Sequence, residues 1–459
     1  MIHRYQKKGL NFVLDVNSGA VHLLDDISYA VSGLLDENMG DTCPQSIIDA
    51  LPDYTADEIR EAYDELYELK KAGQLFAQDD YIDVSRYIPV NAPVKALCLH
   101  VAHDCNLRCQ YCFASTGDFG QGRKIMPPEI AKKAIDFVIA RSGVRHNIEV
   151  DFFGGEPLMA WDTVIQTVDY ARSLEEKYNK KFRFTITTNG LLLDEDKRKY
   201  INENMDNCVL SLDGRREVND EFRKTVAGTG SYDTIVPKFK ALVDERDPNL
   251  DYYARGTFTS HNLDFAEDVL SIADAGFDRL SVEPVTADPG CGYDLTEDDL
   301  PKIEAEYDRL TDIMLERKKE GKPFTFFHFM VDLDQGPCVV KRLRGCGAGY
   351  EYVAVTPDGD IYPCHQFVGK DEFKQGSVLD QSFNMDIAQK FAGMNIYSRP
   401  KCQKCWAKFY CSGGCSAANY NMNHDMNDSY DLGCEMERKR LECAIYLKAM
   451  DKICANQSK

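Results

Sequence analysis

"VKALCLHVAHDCNLRCQYC", residues 94–112, runs from an apolar, strand-like segment straight into three cysteines, Cys105, Cys109 and Cys112. Three thiolates so close together hold metal, yet a structural zinc site takes four ligands. The spacing CxxxCxxC also suits a cubane 4Fe-4S cluster, in which three local thiolates ligate three irons and leave the fourth free for a substrate or cofactor. On this loop alone a partial zinc site and an open cluster both stand. Cys98, inside the strand, reads as a small buried hydrophobe rather than a fourth ligand.

Outward from this stretch, strand-like and helix-like segments alternate. "AKKAIDFVIARS", "IEVDFFGG", "WDTVIQTVDYARSLEEKY", "FRFTITTNG", "NCVLSLDG", "DTIVPKFKALVDE", "YYARGTFT", "DFAEDVLSIADAG" and "RLSVEPV" follow in order. Such repetition predicts an α/β fold with a parallel sheet, closed or incomplete, over residues 88–330, and places functional groups at the strand C-terminal ends. There lie "GGEP" with Gly154, Gly155 and Glu156, "TTNG", and "LSLDG" with Ser211 and Asp213. The two glycines would let a ligand approach the backbone, and Ser211 and Asp213 are candidates to hold ribose hydroxyls. Glu283, in "SVEP", is a candidate pocket residue.

Residues 1–87 form a first unit. "NFVLDV" and "AVHLL" flank "NSG", a hairpin signal. "DISYAVSGLLDE" and "TADEIREAYDELYELKKAG" are helical, the second opening with a capping box of Thr55 and Glu58, and "QLF" is expected to return as a strand. The result is winged-helix-like, and two roles stay open: a cap on the barrel, or capture of a peptide by strand addition. "YIPVNAP" is a linker. After about residue 330 the rhythm breaks, and ten cysteines fall between Cys338 and Cys454. This third unit, 331–459, is expected to fold around metal because its loops offer little apolar stripe.

Of 459 residues, 75 are acidic and 54 basic, a formal charge of -21, which argues against nucleic acid as a partner. The N-terminus lacks a secretory pattern and no segment is apolar enough for a membrane span, so a cytoplasmic protein with no membrane partner is expected. In that compartment thiols stay reduced, and 17 cysteines point to metal and an oxygen-poor setting rather than to disulfides.

"CNLRCQYC" with "GGEP" resembles the radical S-adenosylmethionine (SAM) enzymes. The resemblance implies a partial (β/α)6 TIM-type barrel in which the open iron chelates SAM, and reductive cleavage gives a 5'-deoxyadenosyl radical that takes a hydrogen atom from substrate. It assigns Cys105, Cys109 and Cys112 to the cluster. Tyr111, Gly154, Gly155, Glu156, Ser211, Asp213 and Arg223 go to the cofactor, Arg223 pairing with the SAM carboxylate. Its plainer alternative is a solvated helix charge.

Cys346 and Cys364 (C-x12-G-x4-C), then "CQKCWAKFYCSGGC" (residues 402–415) and Cys434, resemble the SPASM domain, with a zinc ribbon as the plainer reading of the CxxC part. By this resemblance Cys402, Cys405, Cys411 and Cys434 ligate one auxiliary 4Fe-4S cluster, and Cys346, Cys364 and Cys415 a second, making three clusters in all. Cys338 is the candidate fourth ligand of the second set, but its seven-residue gap to Cys346 is long for that role, which leaves a corner for a substrate cysteine. Cys43, Cys208, Cys291, Cys443 and Cys454 fit no motif.

Together the three units are similar to ribosomal-peptide maturases, above all the maturase of six-cysteines-in-forty-five (SCIFF) peptides. That resemblance implies Cys-to-Thr thioether formation in a cysteine-rich precursor bearing a leader, with a low-potential electron donor. Sulfatase maturation, carbon-carbon crosslinking, and a leader-binding iron-sulfur scaffold without activity are the alternatives.

Overall fold

The computed structural model describes residues 1–87, 91–333 and 339–457; Cys338 and part of the linker lie outside them. Three antiparallel strands come first, β1 (Ile2–Lys7), β2 (Leu10–Asp15) and β3 (Val21–Leu24), in the order β1-β2-β3. The β2–β3 hairpin forms where the apolar runs flank "NSG", with Gly19 at φ +75°. Strand β1 was not expected from its polar pattern. Its Lys7 is buried against Asp308, an ion pair no local pattern reveals.

The helix Ala56–Lys71 starts at the expected capping box: Thr55 N–H donates to Glu58 Oε2 at 2.8 Å, and Glu58 N–H to Thr55 Oγ1 at 3.3 Å. It buries Ile59, Ala62, Tyr63 and Leu66 against Val13 and Val31. The returning strand expected at "QLF" does not form. Leu75 and Phe76 are buried, but Gly73 and Phe76 both take positive φ, so the chain turns too sharply to extend beside a neighbour.

A second sheet carries the site. Its parallel strands are β4 (Ala96–His103), β6 (Asn147–Gly154), β7 (Lys181–Thr188), β8 (Asn207–Ser211), β9 (Asp251–Phe258) and β10 (Arg279–Pro284), side by side in that order, with short β11 (Thr325–Phe326) beyond β10 and the two-residue β5 (Lys124–Ile125) against β4. This is the expected partial barrel. All eight residues of β4 are buried, as in a strand covered on both faces.

The third unit continues this sheet. Strand β12 (Tyr352–Val355) pairs in parallel with β4, Tyr352 opposite Ala96, and β13 (Asp360–Tyr362), β14 (Gly376–Ser377) and β15 (Ser382–Phe383) follow antiparallel. The expectation of too little apolar surface there is corrected. Tyr350, Tyr362, Phe367, Phe373 and Phe391 form a core with Cys98 of β4, drawn from segments too short to show periodicity. The C-terminal helix Asp431–Gln457 packs beside the helix Leu300–Lys319 and sends Ile445 and Tyr446 against Tyr5, Phe12 and Leu14 of the first sheet. Among the described residues no helix is long and apolar enough to cross a membrane.

Candidate active site

A cavity of about 250 Å³ opens at the C-terminal ends of the barrel strands. Cys105, Cys109 and Cys112 rim it from the loop after β4, facing Gly154, Gly155 and Glu156 after β6, Ser211 after β8, and Arg223. Tyr111 also lines it. Ten predicted residues were assigned to this end of the barrel, and nine meet at one hollow; Asp213 is the exception.

The glycines work differently from the sequence reading. A Cβ on Gly154 would come within 2.2 Å of Ala102 O, and one on Gly155 within 2.1 Å of Asp104 O. Their smallness therefore lets the β6 loop close onto the cysteine loop, where Gly155 N–H donates to Ala102 O at 2.7 Å and Glu156 N–H to Asp104 O at 2.9 Å. Gly117, missed in the sequence, belongs to the same contact. At φ +102° its added Cβ would lie 2.6 Å from Cys105 Cβ, so only glycine fits.

Glu156 is 1% exposed and joins two loops. Oε1 accepts from Leu158 N–H at 3.0 Å and Thr188 Oγ1 at 2.7 Å, and Oε2 from Asn189 N–H at 2.8 Å. Burial pushes its carboxyl up to about 7 against these bonds. Of about four lone-pair positions on a carboxylate, one remains for a ligand amine. Glu156→Gln would turn an amide N–H₂ onto one of these donors, and an unmet buried donor costs about 1–3 kcal/mol. The expected result is a lower unfolding midpoint together with weaker SAM binding by calorimetry, without loss of cluster absorbance.

Thr188 and Asn189 had been noted only as "TTNG". Asn189 Nδ2 donates to Asn106 Oδ1 at 2.8 Å and reaches Cys105 Sγ at 3.5 Å, tying β7 to the cysteine loop.

Asp213 corrects another expectation. It is fully buried behind the cavity wall and cannot meet a ribose there; it accepts from Tyr111 OH at 2.5 Å and Thr257 N–H at 3.1 Å, and pairs with Arg223 Nε at 3.0 Å. Arg223 is accordingly no solvated helix charge. It stands in the cavity wall, held by Asp213 and 5.7 Å over the Tyr111 ring. Glu283 lies in the same wall, paired with Arg255.

The C-terminal cysteines gather as the spacing suggested. Cys402, Cys405, Cys411 and Cys434 rim a cavity of about 350 Å³. Cys364 has Cys415 and Cys346 as its electrostatic neighbours. Burial pushes the thiols of Cys105, Cys364 and Cys411 up to about 12, and those of Cys109 and Cys434 up to about 11. Thiols so placed ionise only beside strong positive charge, which iron supplies. Among the described residues no group of three His, Cys, Asp or Glu side chains converges as single-metal ligands; the thiols stand among the lining of the two cavities.

The site thus joins a partial barrel, with thiols and a buried guanidinium at its mouth, to a second thiol-lined domain. Residues 99–251 match the Radical SAM superfamily, and residues 346–406 match SPASM, an iron-sulfur cluster-binding domain. A cysteine-type anaerobic sulfatase-maturating enzyme of Clostridium novyi (strain NT) is 25% identical over 354 residues, covering 72% of this chain and 90% of that protein. The fold is similar to native anSMEcpe with bound AdoMet and Kp18Cys peptide (TM-score 0.63, 20% identity, 78% of this chain and 99% of that one). It is also similar to Streptococcus suis SuiB bound to precursor peptide SuiA (TM-score 0.52, 16% identity, 93% and 97%). The chain thus carries a radical SAM domain and a SPASM domain, and its cofactors are SAM and 4Fe-4S clusters.

Proposed function

We propose that this chain is a cytoplasmic peptide maturase that forms Cys-to-Thr thioether bonds in a cysteine-rich precursor of the SCIFF type, with one cluster at Cys105, Cys109 and Cys112 and two in the C-terminal unit. The observation that carries this reading is a continuous hollow. The barrel cavity shares Arg255, Glu283 and His365 with a second cavity of about 460 Å³ that extends to Cys411, Cys415 and Cys434. A peptide lying there has a carbon beside the barrel thiols and a sulfur within reach of the C-terminal ones.

When bound, the barrel cluster and SAM supply a carbon radical that takes a hydrogen atom from the substrate. The chain's own residues do the rest. Glu156 and Arg223 orient the amino and carboxylate groups of SAM, and Ser211 faces its ribose. Cys346, Cys364 and Cys415 would hold a second C-terminal cluster, which would supply a Lewis-acidic iron able to bind the substrate thiolate. Bond formation removes one hydrogen atom from carbon and one proton from sulfur, with an electron leaving through the C-terminal unit to an external low-potential carrier.

The first 87 residues fit leader capture. Strand β3 is an edge of its sheet, with backbone groups able to pair with an added strand. The likeness to SuiB leaves out only 7% of this chain and so runs into that unit. Tethering by the leader raises the local concentration of the core peptide. The sulfatase-maturating relative keeps formylglycine formation as a second reading, although that relative's match covers 72% of this chain.

Anaerobic incubation with SAM, reductant and a leader-bearing cysteine-rich peptide tests both. A loss of two hydrogens per crosslink, with fewer alkylatable thiols and all sulfur retained, is the expected outcome. Loss of sulfur from the peptide would identify formylglycine formation, and unaltered peptide with no SAM cleavage would leave only a scaffold.

A further inference from the structure

Arg399 is 2% exposed and lies beside the loop "CSGGC" that links the two C-terminal cysteine sets. Its Nη1 donates to Gly413 O at 2.9 Å and Nη2 to Ser416 Oγ at 3.0 Å, pinning the guanidinium to the segment that joins Cys411 of one set to Cys415 of the other. Gly413 is shaped for it. At φ +87°, a Cβ there would come within 2.1 Å of Nη1.

Buried cations in proteins normally face a carboxylate. Lys408 meets Asp79 and Arg223 meets Asp213. Arg399 forms no ion pair with a carboxylate among the described residues, and its Nε has no hydrogen-bond partner. The side chains whose ionisation would act on it are the thiols of Cys402, Cys411, Cys415 and Cys346, drawn from both cysteine sets. A fixed buried cation shared by two electron-accepting sites favours the reduced form of each, because adding an electron beside positive charge is favourable and net charge is one lever on cluster potential.

We infer that Arg399 is a positioning residue for electron transfer, a buried cation between the two auxiliary clusters that raises the reduction potential of both relative to the barrel cluster. The inference rests on the assignment of two clusters to the C-terminal unit. At the barrel the comparable guanidinium, Arg223, is neutralised by Asp213, so the C-terminal unit becomes the better electron acceptor of the two. An electron released on bond formation then leaves the substrate on the side away from the radical source.

The test is an anaerobic redox titration of reconstituted full-length protein followed by electron paramagnetic resonance, with the barrel cluster as internal reference. In Arg399→Met both auxiliary potentials are expected to move negative by a tenfold or greater change in the reduction equilibrium, about 59 mV for a one-electron couple. Arg399→Lys keeps the charge and is expected to stay near the wild-type values. Unmoved potentials in Arg399→Met with full iron content overturn the inference. So does a drop in Arg399→Lys as large as that in Arg399→Met; if Arg399→Met does not load, a tenfold shift in Arg399→Lys alone overturns it. Wild-type protein holding only about four irons, one cluster's worth, would overturn the cluster assignment itself, which separates the two failures.

Discussion

Replacing Cys105 with alanine is expected to lower anaerobic formation of 5'-deoxyadenosine by at least about 10³-fold, equivalent to ~4 kcal/mol in the barrier. The reason lies in the count of thiols. Cys105, Cys109 and Cys112 are the cysteines that rim the barrel cavity, so losing one leaves no local replacement. Cys98 does not line that cavity and packs instead with Tyr362 and Phe367. Cys98→Ala is the matched control, expected to keep wild-type cleavage after a modest loss of stability. Iron content should fall by about four per chain in Cys105→Ala while the C-terminal signals persist. Cleavage at the wild-type rate in Cys105→Ala would remove the barrel thiols from the chemistry.

The parts legible in the sequence were those set by short-range pattern. Alternating apolar strands and amphipathic helices mark the barrel, and of the C-terminal thiols grouped by resemblance, Cys402, Cys405, Cys411 and Cys434 rim one cavity. The misses come from what local composition does not show, pairing with distant residues and backbone turns. Strand β1 hides behind Lys7, which is buried only because Asp308 lies opposite. "QLF" has the composition of a strand, yet Gly73 before it and its own Phe76 take positive φ and turn the chain away. Gly155 lines the cavity as a ligand-facing glycine should, but its closeness to Asp104 O, fifty-one positions earlier in the chain, was not legible. Asp213 reads as a ribose contact because its buried counter-ion, Arg223, is ten residues away across a helix.

Continuity of the sheet explains why the cavities beside the two thiol regions share lining residues. Strand β4 leads into Cys105, and β12 lies parallel beside it, with Ala354 opposite Cys98. The antiparallel β13 then runs back toward the start of β4, Tyr362 opposite Ala354, and the turn that follows it brings His365 into the lining of both cavities. A flexible tether between the two units would not fix that spacing; a shared hydrogen-bond ladder does.

Asp213→Ala is expected to be the most damaging substitution outside the thiols. It removes the acceptor for Tyr111 OH and the counter-ion of Arg223 in one step. A charge left buried without its partner costs about 3–5 kcal/mol, which should appear as a lower midpoint in denaturant unfolding of the reconstituted protein. SAM affinity should fall as well, because both side chains line the cavity and lose the group that orients them. Stability and binding separate in the double variant Asp213→Ala/Arg223→Met. Replacing a buried ion pair with apolar atoms is often nearly neutral, so the double variant should recover most of the lost stability. Its SAM binding should stay weak, since the guanidinium proposed to meet the SAM carboxylate is gone. Equal recovery of both would mean that Arg223 only braces the wall, and an unchanged midpoint in Asp213→Ala would mean that the pair does not hold this end of the barrel together.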